Sequence, residues 1–74
     1  MDDEIKFPEE SLSPLASIAA PWGREISLQA VDHESGLKMV RMRIREGRRR
    51  FTIVDLDTPT VEAMVQAMQG WLKT

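Results

Sequence analysis

Five ionisable residues would form a metal or acid–base site if the fold brought them together: Asp32, His33, Glu34, Asp55 and Asp57. Zinc needs three or four ligands at about 2.3 Å, and proton transfer needs a group within hydrogen-bond reach. In the predicted strand order, one strand separates Asp32, His33 and Glu34 from Asp55 and Asp57. The two sets are therefore expected to lie on the order of 10 Å apart. We therefore expect Asp55 and Asp57 to stabilise a helix N-terminus and Asp32 and Glu34 to flank an exposed turn, without a metal.

The sequence contains none of the short motifs that mark common enzymes. It has no cysteine, phosphate-binding loop, nucleophile elbow, zinc-ligand spacing or dinucleotide fingerprint. The predicted strand register places no histidine beside a serine, so a serine nucleophile would have no base. We expect a protein that is not an enzyme, has no catalytic residue and needs no cofactor.

Charge is strongly segregated along the chain. The net charge is -2, but residues 1–10 carry -4 and residues 36–50 carry +6. Most of the positive charge comes from six arginines: Arg41, Arg43, Arg45, Arg48, Arg49 and Arg50. Clustered guanidinium groups suit phosphates and carboxylates, so this pattern indicates the kind of partner and not the fold.

Length and composition indicate one small domain. The chain has 74 residues, of which 42% are hydrophobic and 30% charged. A domain of this size buries only about 60% of its unfolded surface, which favours extra burial against a partner. The N-terminus is acidic and no apolar run approaches the ~20 residues of a membrane helix. We expect a cytoplasmic protein with no membrane association.

Residues 24–45 have the period-two hydrophobic pattern of a β-hairpin. Ile26, Leu28 and Ala30 alternate with the neighbouring positions in a first predicted strand. Gly36 supplies the left-handed residue of a three-residue loop, residues 34–36. This loop pairs Ala30 with Val40, Leu28 with Met42 and Ile26 with Ile44. The second strand, residues 37–45, then has Val40, Met42 and Ile44 on one face and Arg41, Arg43 and Arg45 on the other.

Residues 51–56 are predicted to form a third strand after a turn at Glu46 and Gly47. A two-residue loop would pair Met42 with Phe51, and a four-residue loop would pair Ile44 with Phe51. Both loops place Phe51 on the face that carries Met42 and Ile44, which we call the first face. The choice between the two loops stays open.

Residues 58–72 have the pattern of an amphipathic helix. Thr58 is predicted as the N-cap and Pro59 as the first helical residue. An apolar stripe follows at helical spacing: Val61, Met64, Val65, Met68, Trp71 and Leu72. We predict an α+β fold for residues 24–74, a three-stranded antiparallel meander with this C-terminal helix packed on the first face (β-β-β-α).

Residues 1–23 are predicted to be an acidic arm outside this domain. They contain three of the four prolines and few periodic apolar positions. Ser13 and Pro14 have the residue types of an N-cap and a first helical residue, which predicts a short helix that ends before Pro21. Whether the arm is mobile or docked stays open.

The sheet face opposite the helix, which we call the second face, is the predicted interaction site. Near the first turn it is expected to carry an apolar cluster: Val31, Leu37, Met39, Val54 and Leu56. Near the second turn it is expected to carry a ladder of like charges: Arg41, Arg43 and Arg45 beside Arg48 or Arg50. Such clusters seldom stay exposed on a monomer. The predicted partner-binding residues are Val31, Met39, Val54, Arg41, Arg43, Arg45, Arg48 and Arg50.

Several occupants of the second face stay open. The apolar cluster would be covered by the protein's own arm, by a second copy in a homodimer or by another protein. The arginines would be solvated, or would bind an acidic protein, an anion or a nucleic acid. The predicted register leaves no phenylalanine on the arginine face to stack on a base, which disfavours nucleic acid. We predict a non-enzymatic module that self-associates or binds an acidic partner, with nucleic-acid or anion binding as the alternative.

Three segments carry a resemblance to other proteins: residues 24–37 (REISLQAVDHESGL), 41–49 (RMRIREGRR) and 51–57 (FTIVDLD). Over residues 24–72 the chain resembles a group of small uncharacterised bacterial proteins that share a domain of unknown function. The resemblance rests on strands and turns. It implies the β-β-β-α core and implies no activity.

Overall fold

The sheet contains one more strand than the sequence predicts. The computed structural model describes residues 10–74, in the order β1 (Glu10–Ala20), a 3-10 turn (Pro21–Gly23), β2 (Arg24–His33), β3 (Lys38–Arg45), β4 (Phe51–Leu56) and α1 (Thr58–Leu72). The four strands form one antiparallel sheet in the order β1-β2-β3-β4. The predicted α+β class, antiparallel meander and C-terminal helix are confirmed, whereas the count of three strands is wrong.

The additional strand is β1, which replaces the predicted arm and its short helix. A helix of six residues has little stability by itself, whereas β1 pairs with β2 along its whole length. This pairing places Ile18 opposite Ile26 and Leu12 opposite Val31. Pro14 is tolerated because β1 is an edge strand, and the register shifts between Pro14 and Ala16. Residues 1–9 of the predicted arm lie outside the described residues.

The first hairpin has the predicted register. Ala30 pairs with Val40, Leu28 with Met42 and Ile26 with Ile44. The backbone N–H of His33 donates to the carbonyl of Leu37 over 2.9 Å, which closes the three-residue loop. Gly36 has φ +92°, the left-handed conformation for which glycine was predicted.

The second hairpin differs from both predicted alternatives. Its loop has five residues, 46–50, and pairs Arg45 with Phe51. A loop with an odd number of residues moves every side chain of β4 to the opposite face. Phe51, Ile53 and Asp55 therefore lie on the second face with the arginines. Val54 and Leu56, predicted on the second face, lie on the first face.

Two cross-strand contacts explain this register. Arg41 lies opposite Asp55 and forms an ion pair with it. The guanidinium carbon of Arg43 lies 4.1 Å from the centroid of the Phe51 ring. The four-residue loop would have placed the Asp55 carboxylate opposite Val40 on the apolar face, where it would have no cation and would be costly to desolvate.

Helix α1 begins one residue earlier than predicted. Asp57 is the N-cap, and its Oδ1 accepts a hydrogen bond of 3.0 Å from the backbone N–H of Thr60. Thr58 is therefore the first helical residue, and Pro59 lies in the first turn, where its missing N–H costs nothing. In the described part of the chain, no helix has the length and hydrophobicity of a membrane span.

Very little of the described chain is fully buried. Val31, which is 1% exposed, is the one fully buried hydrophobic residue among residues 10–74. It lies on the second face between Leu12 and Met39. The first face and α1, where the core was predicted, are only partly covered.

Candidate functional site

An open apolar groove runs between α1 and the first face of the sheet. It has a volume of about 320 Å³. Ten of the described residues line it, and all ten side chains are apolar: Ile18, Ile26, Leu28, Val40, Met42, Leu56, Val61, Met64, Val65 and Met68. A smaller cavity of about 180 Å³ continues past Val40, and its lining residues include Asp32, Lys38 and Glu62. The surface of both the groove and this cavity is nevertheless mainly apolar.

The apolar stripe of α1 is best covered near the start of the helix. Val61 and Met64 are half-buried. Four further members of the stripe are exposed: Val65 by 45%, Met68 by 56%, Trp71 by 73% and Leu72 by 72%. The prediction that the whole stripe packs on the first face is therefore correct only for the first two turns of α1.

The predicted apolar cluster of the second face is not an exposed patch. Val31 is buried, and Met39 is half-buried next to it in the sheet. Val54 and Leu56 lie on the other face because of the five-residue loop. Leu37 lies in the first turn and is exposed. Of the three apolar residues predicted to bind a partner, only Met39 has accessible surface on the second face.

The arginine ladder is partly satisfied within the sheet. Arg41 makes a bidentate contact with Asp55, with Nε to Oδ1 at 2.8 Å and Nη2 to Oδ2 at 3.1 Å. Arg43 stacks on Phe51, and its buried Nε has no hydrogen-bond partner among the described residues. Arg45, Arg48 and Arg50 are exposed at the end of β3 and in the following loop. The free positive charge is therefore concentrated at one end of the sheet.

The five ionisable residues have separate surroundings, and the prediction that Asp55 stabilises the helix N-terminus is wrong. Asp57 caps α1, and Asp55 pairs with Arg41. His33 lies on the second face with its Nε2 3.7 Å from Oε2 of Glu10, whereas Asp32 lies on the first face. Within residues 10–74 no three histidine or acidic side chains lie close enough together to hold a metal ion.

Two carboxyl groups have lowered pKa values. Hydrogen bonds from Arg41 hold the pKa of Asp55 below its ordinary value of 3.8 and outweigh the opposing effect of desolvation. A hydrogen bond from Thr60 lowers the pKa of Asp57 in the same way. A carboxyl whose pKa is lowered by folding stabilises the fold above its unfolded pKa. That contribution is lost as the pH falls through the folded pKa.

We expect Asp55→Asn to reduce the free energy of unfolding at pH 7 by about 0.5–1 kcal/mol, the range of a partly exposed ion pair. At about pH 2 the loss should be smaller, because the stabilisation by ionised Asp55 decreases as the pH falls below its unfolded pKa. Urea unfolding at both pH values measures the difference. Glu62→Gln removes an exposed carboxylate from α1 and is the control. An equal loss at both pH values would contradict the role assigned to Arg41.

Comparison with known proteins gives a family but no activity. No curated protein and no solved structure matches the chain significantly. A family model described as "Family of unknown function (DUF6967)" matches residues 9–74. This match covers β1 as well as residues 24–72, the segment that resembles small uncharacterised bacterial proteins. The chain therefore belongs to DUF6967, a family of unknown function.

Proposed function

We propose that the protein is a small, non-enzymatic interaction module that forms a twofold homodimer through the groove. The groove itself carries this proposal, because ten apolar side chains line about 320 Å³ of space open to solvent. Monomeric proteins seldom leave a surface of this kind uncovered. The proposed interaction surface is thus on the first face, whereas the sequence predicted it on the second.

A second copy is the favoured occupant because each chain carries both halves of an interface. The groove accepts apolar side chains, and the end of α1 presents two exposed ones that do not line it, Trp71 and Leu72. If each α1 lies in the groove of the other copy, the same contact forms twice, as twofold symmetry requires. An amphipathic helix in an apolar groove is a recurring mode of recognition, and a tryptophan is a common anchor for it.

The chemistry of the groove supports binding and not catalysis. Its lining side chains neither donate nor accept protons. His33, the sole histidine of the chain, lies on the opposite face of the sheet. The groove therefore offers shape and apolar surface to a partner.

Sedimentation equilibrium of the full chain over a range of concentrations tests this proposal. We expect a mass of twice 8.4 kDa, with dissociation only on dilution. A mass of 8.4 kDa at every concentration would contradict the homodimer, and a larger complex with a second protein would identify a different occupant.

A further inference from the structure

Trp22 is the most exposed large hydrophobic residue among those described. Its side chain is 89% exposed at the turn between β1 and β2. Its backbone has φ 60° and ψ 37°, the left-handed conformation that is unfavourable for a residue other than glycine. Trp22 is therefore both strained in its backbone and exposed to solvent, although the next residue, Gly23, is a glycine. Strain at an exposed residue that adds nothing to a core indicates a role in binding.

Several arginines lie at the same end of the sheet as this tryptophan. The turn that contains Trp22 joins β1 to β2, and the loop of residues 46–50 joins β3 to β4. Both connections lie at one end of the antiparallel sheet, about two strand spacings or roughly 10 Å apart. We call this region the arginine–tryptophan end: Trp22, Arg24, Arg45, Arg48, Arg49 and Arg50.

The arginine–tryptophan end is positively charged although the chain is acidic overall. Its five arginines outnumber the two acids of the same segments, Glu25 and Glu46. All five arginines are exposed, and none forms an ion pair with a carboxylate in the described part of the chain. Five exposed guanidinium groups at one edge therefore attract a polyanion.

The corrected register adds an aromatic ring to this surface. Phe51 directly follows the arginine loop and lies on the second face, 44% exposed, with the guanidinium of Arg43 over its ring. The sequence had predicted no phenylalanine beside the arginines, which counted against nucleic acid. That objection no longer holds, because aromatic rings and guanidinium planes are the groups on which unpaired bases stack.

We propose that the arginine–tryptophan end binds single-stranded nucleic acid. The exposed arginines contact successive phosphates, and an unpaired base stacks on the indole ring of Trp22. A duplex offers no free base face to Trp22 except at its ends. An anionic membrane is disfavoured because insertion needs several apolar residues together, and the loop of residues 46–50 has none. The site is separate from the groove, so it does not depend on the homodimer.

The test uses the full chain with Trp71→Phe, which leaves Trp22 as the sole tryptophan. The probe is a labelled oligothymidine of about 12 nucleotides. Its binding is followed by the fluorescence of Trp22 and by the anisotropy of the label. We expect quenching of Trp22 and an affinity that falls linearly as the logarithm of the salt concentration rises. Trp22→Leu should weaken binding about tenfold or more, whereas Trp22→Phe, which keeps a stacking ring, should retain most of it.

Two matched substitutions distinguish a phosphate contact at the proposed site from an effect of the net charge of the protein. Arg49→Ala should reduce the slope of the logarithm of the affinity against the logarithm of the salt concentration by about 0.7. This is the value expected for the loss of one phosphate contact on a single strand. Lys38→Ala removes the same charge near the opposite end of the sheet and should leave the slope unchanged. Trp22→Gly should abolish stacking without lowering the unfolding temperature, because glycine relieves the left-handed strain.

Three results would overturn the proposal. The first is no binding of the oligothymidine at low salt. The second is binding that Trp22→Leu and Arg49→Ala leave unchanged. The third is a stronger interaction of the same end with a blunt duplex, or with vesicles of phosphatidylserine and phosphatidylcholine, than with the single strand.

Discussion

Met68→Glu is expected to convert the homodimer into a monomer with little loss of monomer stability. Met68 is 56% exposed in a single chain, so a carboxylate at this position stays solvated in the monomer. In the dimer it would be buried among the apolar side chains of the groove without a cation. The dimer would contain two such carboxylates, and a cost of about 3 kcal/mol for each raises its dissociation constant about 10⁴-fold.

Gln66→Glu provides the matched control for this substitution. It introduces the same charge two residues earlier, on the exposed side of α1 away from the groove lining. Sedimentation equilibrium should give a dimer for Gln66→Glu and a monomer for Met68→Glu at the same concentration. If both variants keep the mass of the wild type, Met68 is not in an interface and the groove is not the contact surface.

Val31→Ala is expected to reduce the free energy of unfolding by about 2 kcal/mol, the largest effect of any valine truncation in the described sheet. Val31 is 1% exposed, so the lost methyl groups leave a cavity between Leu12 and Met39. A domain this small has roughly 5 kcal/mol of stability or less, so the loss removes a large share of it. Urea unfolding followed by circular dichroism measures the change.

The control is Val54→Ala, the same truncation at a residue that is 42% exposed on the first face. Both variants are measured in the Met68→Glu background, so that burial in the dimer does not contribute. We expect Val54→Ala to cost less than about 0.5 kcal/mol. Equal losses at the two positions would show that Val31 is not the centre of the packed region.

The sequence predicts local pairing well where one loop determines it. Gly36 indicates a three-residue turn, and that turn sets the register of Ile26, Leu28 and Ala30 against β3. The helix also follows from its periodicity. Only the cap differs, because Asp57 and not Thr58 is the N-cap and accepts the hydrogen bond from Thr60.

The sequence predicts β1 and β4 less well because their hydrophobic patterns are ambiguous. In β4, Phe51 and Ile53 alternate with Val54 and Leu56, so either face is apolar enough to be buried. The deciding signal is Asp55, which requires Arg41 opposite it. In β1, Ser13 and Pro14 have strong helix-start propensities. Pairing with β2 overrides them, as tertiary contacts often override local preference.

The groove is not predictable from periodicity alone. The stripe from Val61 to Leu72 indicates which side of α1 is apolar, but it does not indicate how far the helix stays on the sheet. The structure shows that contact is closest near Val61 and Met64, which leaves Met68 and Trp71 exposed. The small core predicted from chain length is the sequence feature that points toward burial between chains.

An isotope-filtered NOE spectrum of a mixed sample, with one copy labelled with ¹³C and the other unlabelled, tests the proposed dimer most directly. Trp71 is 73% exposed and is not among the residues that line the groove of its own chain. We predict cross-peaks between the indole protons of Trp71 in one copy and the methyl groups of Leu28 and Met42 in the other. A spectrum without intermolecular cross-peaks, from a sample that sediments at 8.4 kDa, would contradict the dimer.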